Sequence, residues 1–165
     1  MRAAIPDTHC RSRQLPNIGA TTRLAEVLSE HVRPGDVIGL TGTLGVGKTA
    51  FARAFINAIA SRCGAPIQEV PSPTFTLVQS YAFPNLIISH FDLYRIEAPH
   101  EIFELGLDDA IADGIVLIEW PERLEGLLPA DRLDLAFYAG DVPDARSAEM
   151  TGYGEWAERL VEIAL

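Results

Sequence analysis

With 165 residues, 48% hydrophobic and 22% charged, the chain is long enough to bury a core and is composed like a folded globular protein. A net charge of −10 and a pI near 4.7 argue against autonomous binding to tRNA or DNA, since neutralised phosphates supply most of that affinity. No apolar run is long enough to span a bilayer, residues 1–17 lack the apolar stretch of a signal peptide, and Cys10 and Cys63 have no metal-ligand spacing, so a cytoplasmic setting with reduced thiols is expected.

In chain order, residues 1–17 read as a loose end or an edge strand, because Pro6 and Pro16 oppose a helix. Leu24, Val27, Leu28 and Val32 then recur at helical spacing behind the candidate caps Thr21 and Thr22, and Arg33-Pro34-Gly35-Asp36 ends that helix. Residues 37–41, VIGLT, form a short buried strand. From Thr49, TAFARAFINAIASR predicts a helix whose inner side carries Phe51, Ala54, Phe55, Ala58 and Ile59. Two β-rich runs follow at 74–83 and 86–94, joined at Pro84-Asn85 as a hairpin. Residues 99–113 read as mostly helical, anchored by Ile102, Phe103, Leu105 and Leu107. GIVLIEWP, residues 114–121, is almost unbroken apolar sequence, as expected of a central strand covered on both faces. Residues 132–140 send Leu133, Leu135 and Phe137 to one side, and residues 154–165 close with an amphipathic helix in which Trp156 packs as core. The pattern is that of an α/β fold, and a single domain over 1–165 is expected.

Between the strand at 37–41 and the following helix lies Gly42-Thr43-Leu44-Gly45-Val46-Gly47-Lys48-Thr49, which fits G-x-x-x-x-G-K-[ST] at every fixed position. Glycines let the backbone fold so closely that successive N–H groups turn toward a β-phosphate, and the start of the helix adds its dipole. A chain that otherwise uses twelve arginines places its one lysine, Lys48, where an ammonium reaches the β- and γ-phosphates. The Thr49 hydroxyl is in the position that ligates Mg²⁺. The motif reads as a nucleoside triphosphate site.

In His90-Phe91-Asp92-Leu93-Tyr94 the polar residues alternate and share one face, a pattern that a solvated sheet edge would also give. Asp92 is the carboxylate suited to Mg²⁺, which takes oxygen ligands through one or two carboxylates and several waters. His90 and Tyr94 read as structural or hydrogen-bonding groups, and Arg95 stays open between an ion pair and a phosphate or partner contact. Glu119 ends the most apolar strand, where an α/β sheet opens onto its ligand crevice. It is placed to polarise an attacking water or to hold the metal's water shell, unless it simply reaches solvent.

Taken together, SPTFTLVQSY (72–81), HFDLYRIEAPHEIFELGL (90–107) and LIEWP (117–121), in this order behind the glycine loop, resemble the TsaE family, formerly YjeE, over roughly residues 20–138. The resemblance implies a P-loop NTPase-like, three-layer fold with a mixed, mainly parallel central sheet. It implies weak ATP hydrolysis with Mg²⁺ and a partnership with the TsaB–TsaD pair, which threonylcarbamoylates the tRNA adenosine next to the anticodon; tRNA is then met only through that complex. It places Thr74 in a switch-like loop near the γ-phosphate and Mg²⁺, and Trp120 beside the nucleotide. The expected binding set is therefore Gly42, Thr43, Leu44, Gly45, Val46, Gly47, Lys48, Thr49 and Trp120, with Thr49, Thr74, Asp92 and Glu119 toward the metal and Lys48 and Glu119 as catalytic residues. Thr43 departs from the acidic residue frequent at this position in the family. Because the cradle works through backbone N–H groups, binding is expected to survive the change, which bears instead on the tuning of hydrolysis.

Three other classes share parts of the pattern. A GTPase switch would use an N/T-K-x-D element, for which no second lysine exists. A small-molecule kinase would show a substrate lobe rich in arginine, whereas 99–113 is acidic. A nucleotide-sensing adaptor would bind without turnover, which steady-state phosphate release distinguishes.

Overall fold

The computed structural model describes residues 7–165. Its centre is β2 (Val37–Thr41), whose first four residues are fully enclosed. On one side β2 pairs in parallel with β5 (Ile115–Glu119), which pairs in parallel with β4 (Leu86–Asp92). On the other side it pairs in parallel with β6 (Arg132–Ala139). Antiparallel strands complete the edges: β3 (Val78–Phe83) on β4, then β7 (Arg146–Tyr153) and β1 (Thr8–Leu15) beyond β6. The seven-stranded order is β1-β7-β6-β2-β5-β4-β3. The mixed sheet with a parallel centre and a terminal hairpin agrees with the expected architecture.

Helices cover both faces. The larger core joins α1 (Ile18–Ser29), α2 (Lys48–Arg62) and α5 (Glu155–Glu162) to one side through Leu24, Leu28, Phe51, Phe55, Trp156 and Leu160. The smaller core gathers Val37, Phe91, Val116 and Ile118 beneath α3 (His100–Phe103) and α4 (Leu107–Asp113). Covered above and below, β5 has no need to alternate polar and apolar residues, which explains its unbroken Ile-Val-Leu-Ile run. A bidentate ion pair from Arg159 to Asp36, with both N–O distances 2.7 Å, ties α5 to the loop before β2. Among the described residues no helix is long and apolar enough to cross a membrane.

Several local expectations shift. The cap of α1 is Asn17, whose side chain accepts from the Ala20 N–H at 3.0 Å, rather than Thr21 or Thr22. Thr21 is buried within the helix, and Thr22 bonds back to the Ile18 carbonyl. Val32 lies past the helix end at Ser29 yet still packs on the core. In α2 the inward face is rotated: Ala52, Ile56 and Ala60 are buried beside Phe51, Phe55 and Ile59, whereas Ala54 and Ala58 are only half-buried. Packing against both α1 and the sheet widens the apolar stripe beyond one line of residues. Residues 74–77 do not belong to β3; Leu77 N–H bonds to the Pro73 carbonyl at 2.6 Å, closing a turn. Residues 99–113 split into two helices at Gly106, whose φ of 73° suits glycine, and Phe103 is 66% exposed instead of anchoring the core. β7 carries little strand signal in its sequence, since RSAEMTGY has neither a β-branched run nor flanking hydrophobic weight; it alternates Ala148, Met150 and Gly152 inward.

Gly114 links α4 to β5, and a Cβ there would stand 1.9 Å from the Ile87 carbonyl oxygen. Only backbone fits. Gly114→Ala is expected to lower the unfolding free energy by about 1–3 kcal/mol through overpacking. Urea denaturation monitored by circular dichroism measures it, and an unchanged midpoint would contradict the contact.

Candidate functional site

The chain leaves β2 through Gly42, at a φ of 137°, and re-enters helix at Lys48 after Gly45 and Gly47, at 76° and 122°. A Cβ on Gly42 would meet the Phe137 carbonyl and Val46 Cγ1 at 2.7 Å, so both the angle and the space demand glycine there. Val46 N–H closes the loop on the Thr43 carbonyl at 3.2 Å, and from β7 the Arg146 Nε–H donates to the Val46 carbonyl at 2.7 Å. Gly47 offers no side chain to cap α2. The N–H groups of the first turn, with the positive end of the helix dipole, are therefore left for whatever enters the cleft.

Lys48 is only 5% exposed. Its Nζ donates to the Gly42 carbonyl at 2.6 Å and to the Thr43 carbonyl at 2.9 Å, and lies 4.1 Å from the centre of the Trp120 ring. Burial lowers the pKa of this ammonium below the ordinary lysine value, against the opposing pull of Glu119, Glu122 and Asp92. The Tyr94 ring packs against the same indole at a tilt of 44°, with ring centres 5.0 Å apart.

The register of β4 on β5 sets Asp92 opposite Glu119 at the strand ends. Both are nearly enclosed. Thr49, on the first turn of α2, donates its hydroxyl to Glu119 Oε1 at 2.7 Å. The Thr74 and Ser72 hydroxyls lie 2.9 and 3.1 Å from Asp92 Oδ2 and 2.7 Å from each other, sharing their two hydrogens among these three contacts, and the Tyr94 N–H donates to Oδ1 at 3.0 Å. His90, fully buried on β4, meets Glu119 Oε1 through Nε2 at 2.9 Å. The Thr49 hydroxyl spends its hydrogen on Glu119, so its oxygen lone pairs stay free for a cation, whereas the Thr74 and Ser72 oxygens bond to each other as well as to Asp92. Among the described residues no group of three or more His, Cys, Asp or Glu makes a self-sufficient metal centre. Such a set suits Mg²⁺, which keeps waters and shares its shell with phosphate.

Leu44, Gly45, Gly47, Lys48 and Thr49 from the loop meet Thr74, Asp92, Glu119 and Trp120 around a single open cleft of ≈ 510 Å³. Gly42, Thr43 and Val46 are not among the residues that line this cleft: Gly42 and Thr43 hold Lys48 through their carbonyls, and the Val46 side chain is buried in the core. The cleft also includes Ser72, Tyr94 and Arg95, absent from the expected site. Ser72 sits two residues before Thr74 in the same turn, and that spacing was the available signal. Arg95 lies 4.2 Å over the exposed Phe75 ring at the cleft margin.

The family profile described as threonylcarbamoyl adenosine biosynthesis protein TsaE matches residues 15–148. The tRNA threonylcarbamoyladenosine biosynthesis protein TsaE of Rickettsia felis is 42% identical over 114 residues, 69% of this chain and 64% of that protein. The protein of the same name from Bacillus subtilis is 36% identical over 144 residues, 86% of this chain and 85% of its own length. The crystal structure of Bacillus subtilis YdiB superposes with a TM-score of 0.74 at 32% identity, covering 94% of this chain and 93% of that one, in keeping with a P-loop-like fold.

Removing the Asp92 carboxylate takes the shared acceptor from Ser72, Thr74 and the Tyr94 N–H. In Asp92→Ala the turn at 72–77 is expected to exchange amide hydrogens about tenfold faster, as loss of a charged acceptor implies. Unaltered exchange by mass spectrometry would show that the turn is ordered by other contacts.

Proposed function

This chain belongs to the TsaE family, and from that membership we propose that it binds ATP with Mg²⁺ in the cleft where β2, β4 and β5 end, hydrolyses it slowly, and thereby serves threonylcarbamoylation of tRNA. The observation that carries the reading is the meeting of an uncapped glycine-loop helix with two buried carboxylates, one of which takes the Thr49 hydroxyl hydrogen and leaves that oxygen's lone pairs free. The N–H groups of the loop take the β-phosphate, and Lys48 gives up its carbonyl partners for the β- and γ-phosphates. Thr49 and Thr74, with Asp92 and Glu119, hold the metal and its waters. When bound, Mg²⁺ neutralises charge on the triphosphate oxygens. Glu119 takes a proton from the attacking water, and Trp120 closes one side of the nucleotide site. The partners are the TsaB–TsaD pair, to which the turn carrying Thr74 reports the nucleotide state, and tRNA is reached through that complex. An acidic chain with no basic surplus suits this indirect route to RNA.

Lys48→Ala is expected to lower ATP affinity more than tenfold, the effect of losing a charge-assisted contact of about 1.5–3 kcal/mol. Calorimetry with Mg-ATP measures the affinity, and a reconstituted tRNA reaction followed by mass spectrometry of modified adenosine measures the role. Wild type should support repeated turnovers, and Lys48→Ala or omission of the protein should not. Equal multiple turnover in all three reactions would remove the proposed role.

Glu119→Gln keeps the shape of the side chain but cannot take up a proton. ATP binding should persist while single-turnover phosphate release falls by roughly a hundredfold, as for loss of a general base. Release at the wild-type rate would exclude Glu119 as the base.

A further inference from the structure

His90 is an expensive residue for this position. It is fully buried, its Nδ1 has no hydrogen-bond partner among the described residues, and its single polar contact is the 2.9 Å approach of Nε2 to Glu119 Oε1. A leucine or phenylalanine would fill the same space without stranding a polar nitrogen. Packing therefore does not account for an imidazole here.

The contact itself explains more. Glu119 Oε1 also receives the Thr49 hydroxyl at 2.7 Å, so two donors from different elements, α2 and β4, converge on one oxygen. No hydrogen bond among the described residues reaches Oε2. A carboxylate on a flexible side chain held at one oxygen from two directions has its second oxygen fixed in place, with lone pairs unspent. His90 lies two residues before Asp92 on the same strand, and Asp92 is the register partner of Glu119, so the imidazole sits one step deeper in the sheet than the carboxylate it holds.

We propose that His90 is a positioning residue: its Nε2–H donates to Glu119 Oε1 and so presents Oε2 to the water that Glu119 deprotonates. The proposal rests on the assignment of Glu119 as base. It requires the tautomer with hydrogen on Nε2, because a carboxylate oxygen can only accept, and it leaves Nδ1 as the idle nitrogen. A further requirement is that nucleotide binding be largely indifferent to His90, since it is not among the residues that line the cleft.

The test has two parts. In the nucleotide-free wild-type protein, nitrogen-15 NMR of labelled histidine should show His90 with its hydrogen on Nε2; hydrogen on Nδ1 would overturn the proposal without any activity measurement. In kinetics, His90→Phe should lower single-turnover phosphate release about ten- to hundredfold while leaving ATP affinity within about twofold, the pattern of an interaction used in turnover and not in ground-state binding. His90→Gln, which keeps an N–H donor near the Nε2 position, should recover most of that loss. Full turnover in His90→Phe, or parallel losses of affinity, turnover and melting temperature that His90→Gln does not repair, would overturn it. Introduced into Glu119→Gln, His90→Phe should cost nothing further. If Glu119→Gln itself turns over normally, the base assignment fails and His90 falls with it; if Glu119→Gln is slow while His90→Phe is normal, only the positioning role fails.

Discussion

Two carboxylates that face each other on neighbouring strands repel, and the site is arranged around that repulsion. Parallel pairing of β4 with β5 makes Asp92 and Glu119 register partners, and their burial denies them the water that would otherwise screen them. Three hydroxyls, one backbone N–H and one imidazole answer this with hydrogen bonds, and Lys48 contributes the nearest positive charge. The hydrogen bonds come from α2, the turn at 72–77 and β4 itself, so the carboxylates gather otherwise separate parts of the chain. In the proposed function, Mg²⁺ would be the cation that relieves this repulsion.

Lys48 is the counterpart. Its ammonium is satisfied in place by two loop carbonyls and the face of Trp120. Engaging phosphate means exchanging those partners for stronger, charged ones while burial, which disfavours the charged form, is relieved by the incoming anion. In the proposed function the ammonium would leave these loop carbonyls for phosphate within the same cleft. Arg146 ties the other side of the loop to β7 by donating to the Val46 carbonyl.

Much of this was legible in the sequence because it is written in local chemistry. The glycine loop needs particular residues at fixed spacing, and GIVLIEWP can hardly be anything but an internal strand ending in a carboxylate. The hairpin at Pro84-Asn85 follows from turn chemistry, with Asn85 at a φ of 61°. Less was legible wherever a partner distant in sequence decides. Asn17 competes with two threonines for the cap of α1, and which of them wins depends on where Thr21 is buried. β7 has little strand character of its own and is defined by the strands on either side of it, β1 and β6. Phe103 looks like an anchor in any helical projection, but the break at Gly106 turns α3 so that Ile102 takes the inner position. His90 looked like one of three polar residues on a sheet edge; the addition of β3 beyond β4 makes that edge an interior.

The strain in the chain is distributed with the same logic. Among the described residues four non-glycine residues adopt positive φ; Trp120, at 60°, lines the cleft, and Leu77, at 68°, lies three residues after Thr74, which does. Bulky side chains pay about 1–3 kcal/mol for such backbone, and regular packing must hold them there. At Leu77 the conformation lets its carbonyl accept the Asp92 N–H at 3.0 Å, so the turn bearing Ser72 and Thr74 is fastened to the strand whose carboxylate it hydrogen-bonds. At Trp120 it reverses the chain directly after Glu119, with the Trp120 N–H still bonded to the Leu40 carbonyl at 3.2 Å, and swings the indole across Lys48. A regular continuation of β5 would have carried that residue along the sheet instead of over the loop. At Trp120 the departure converts the straight end of a buried strand into a wall of the cleft, while the parallel centre of the sheet, closed on both faces, keeps the strand ends from yielding.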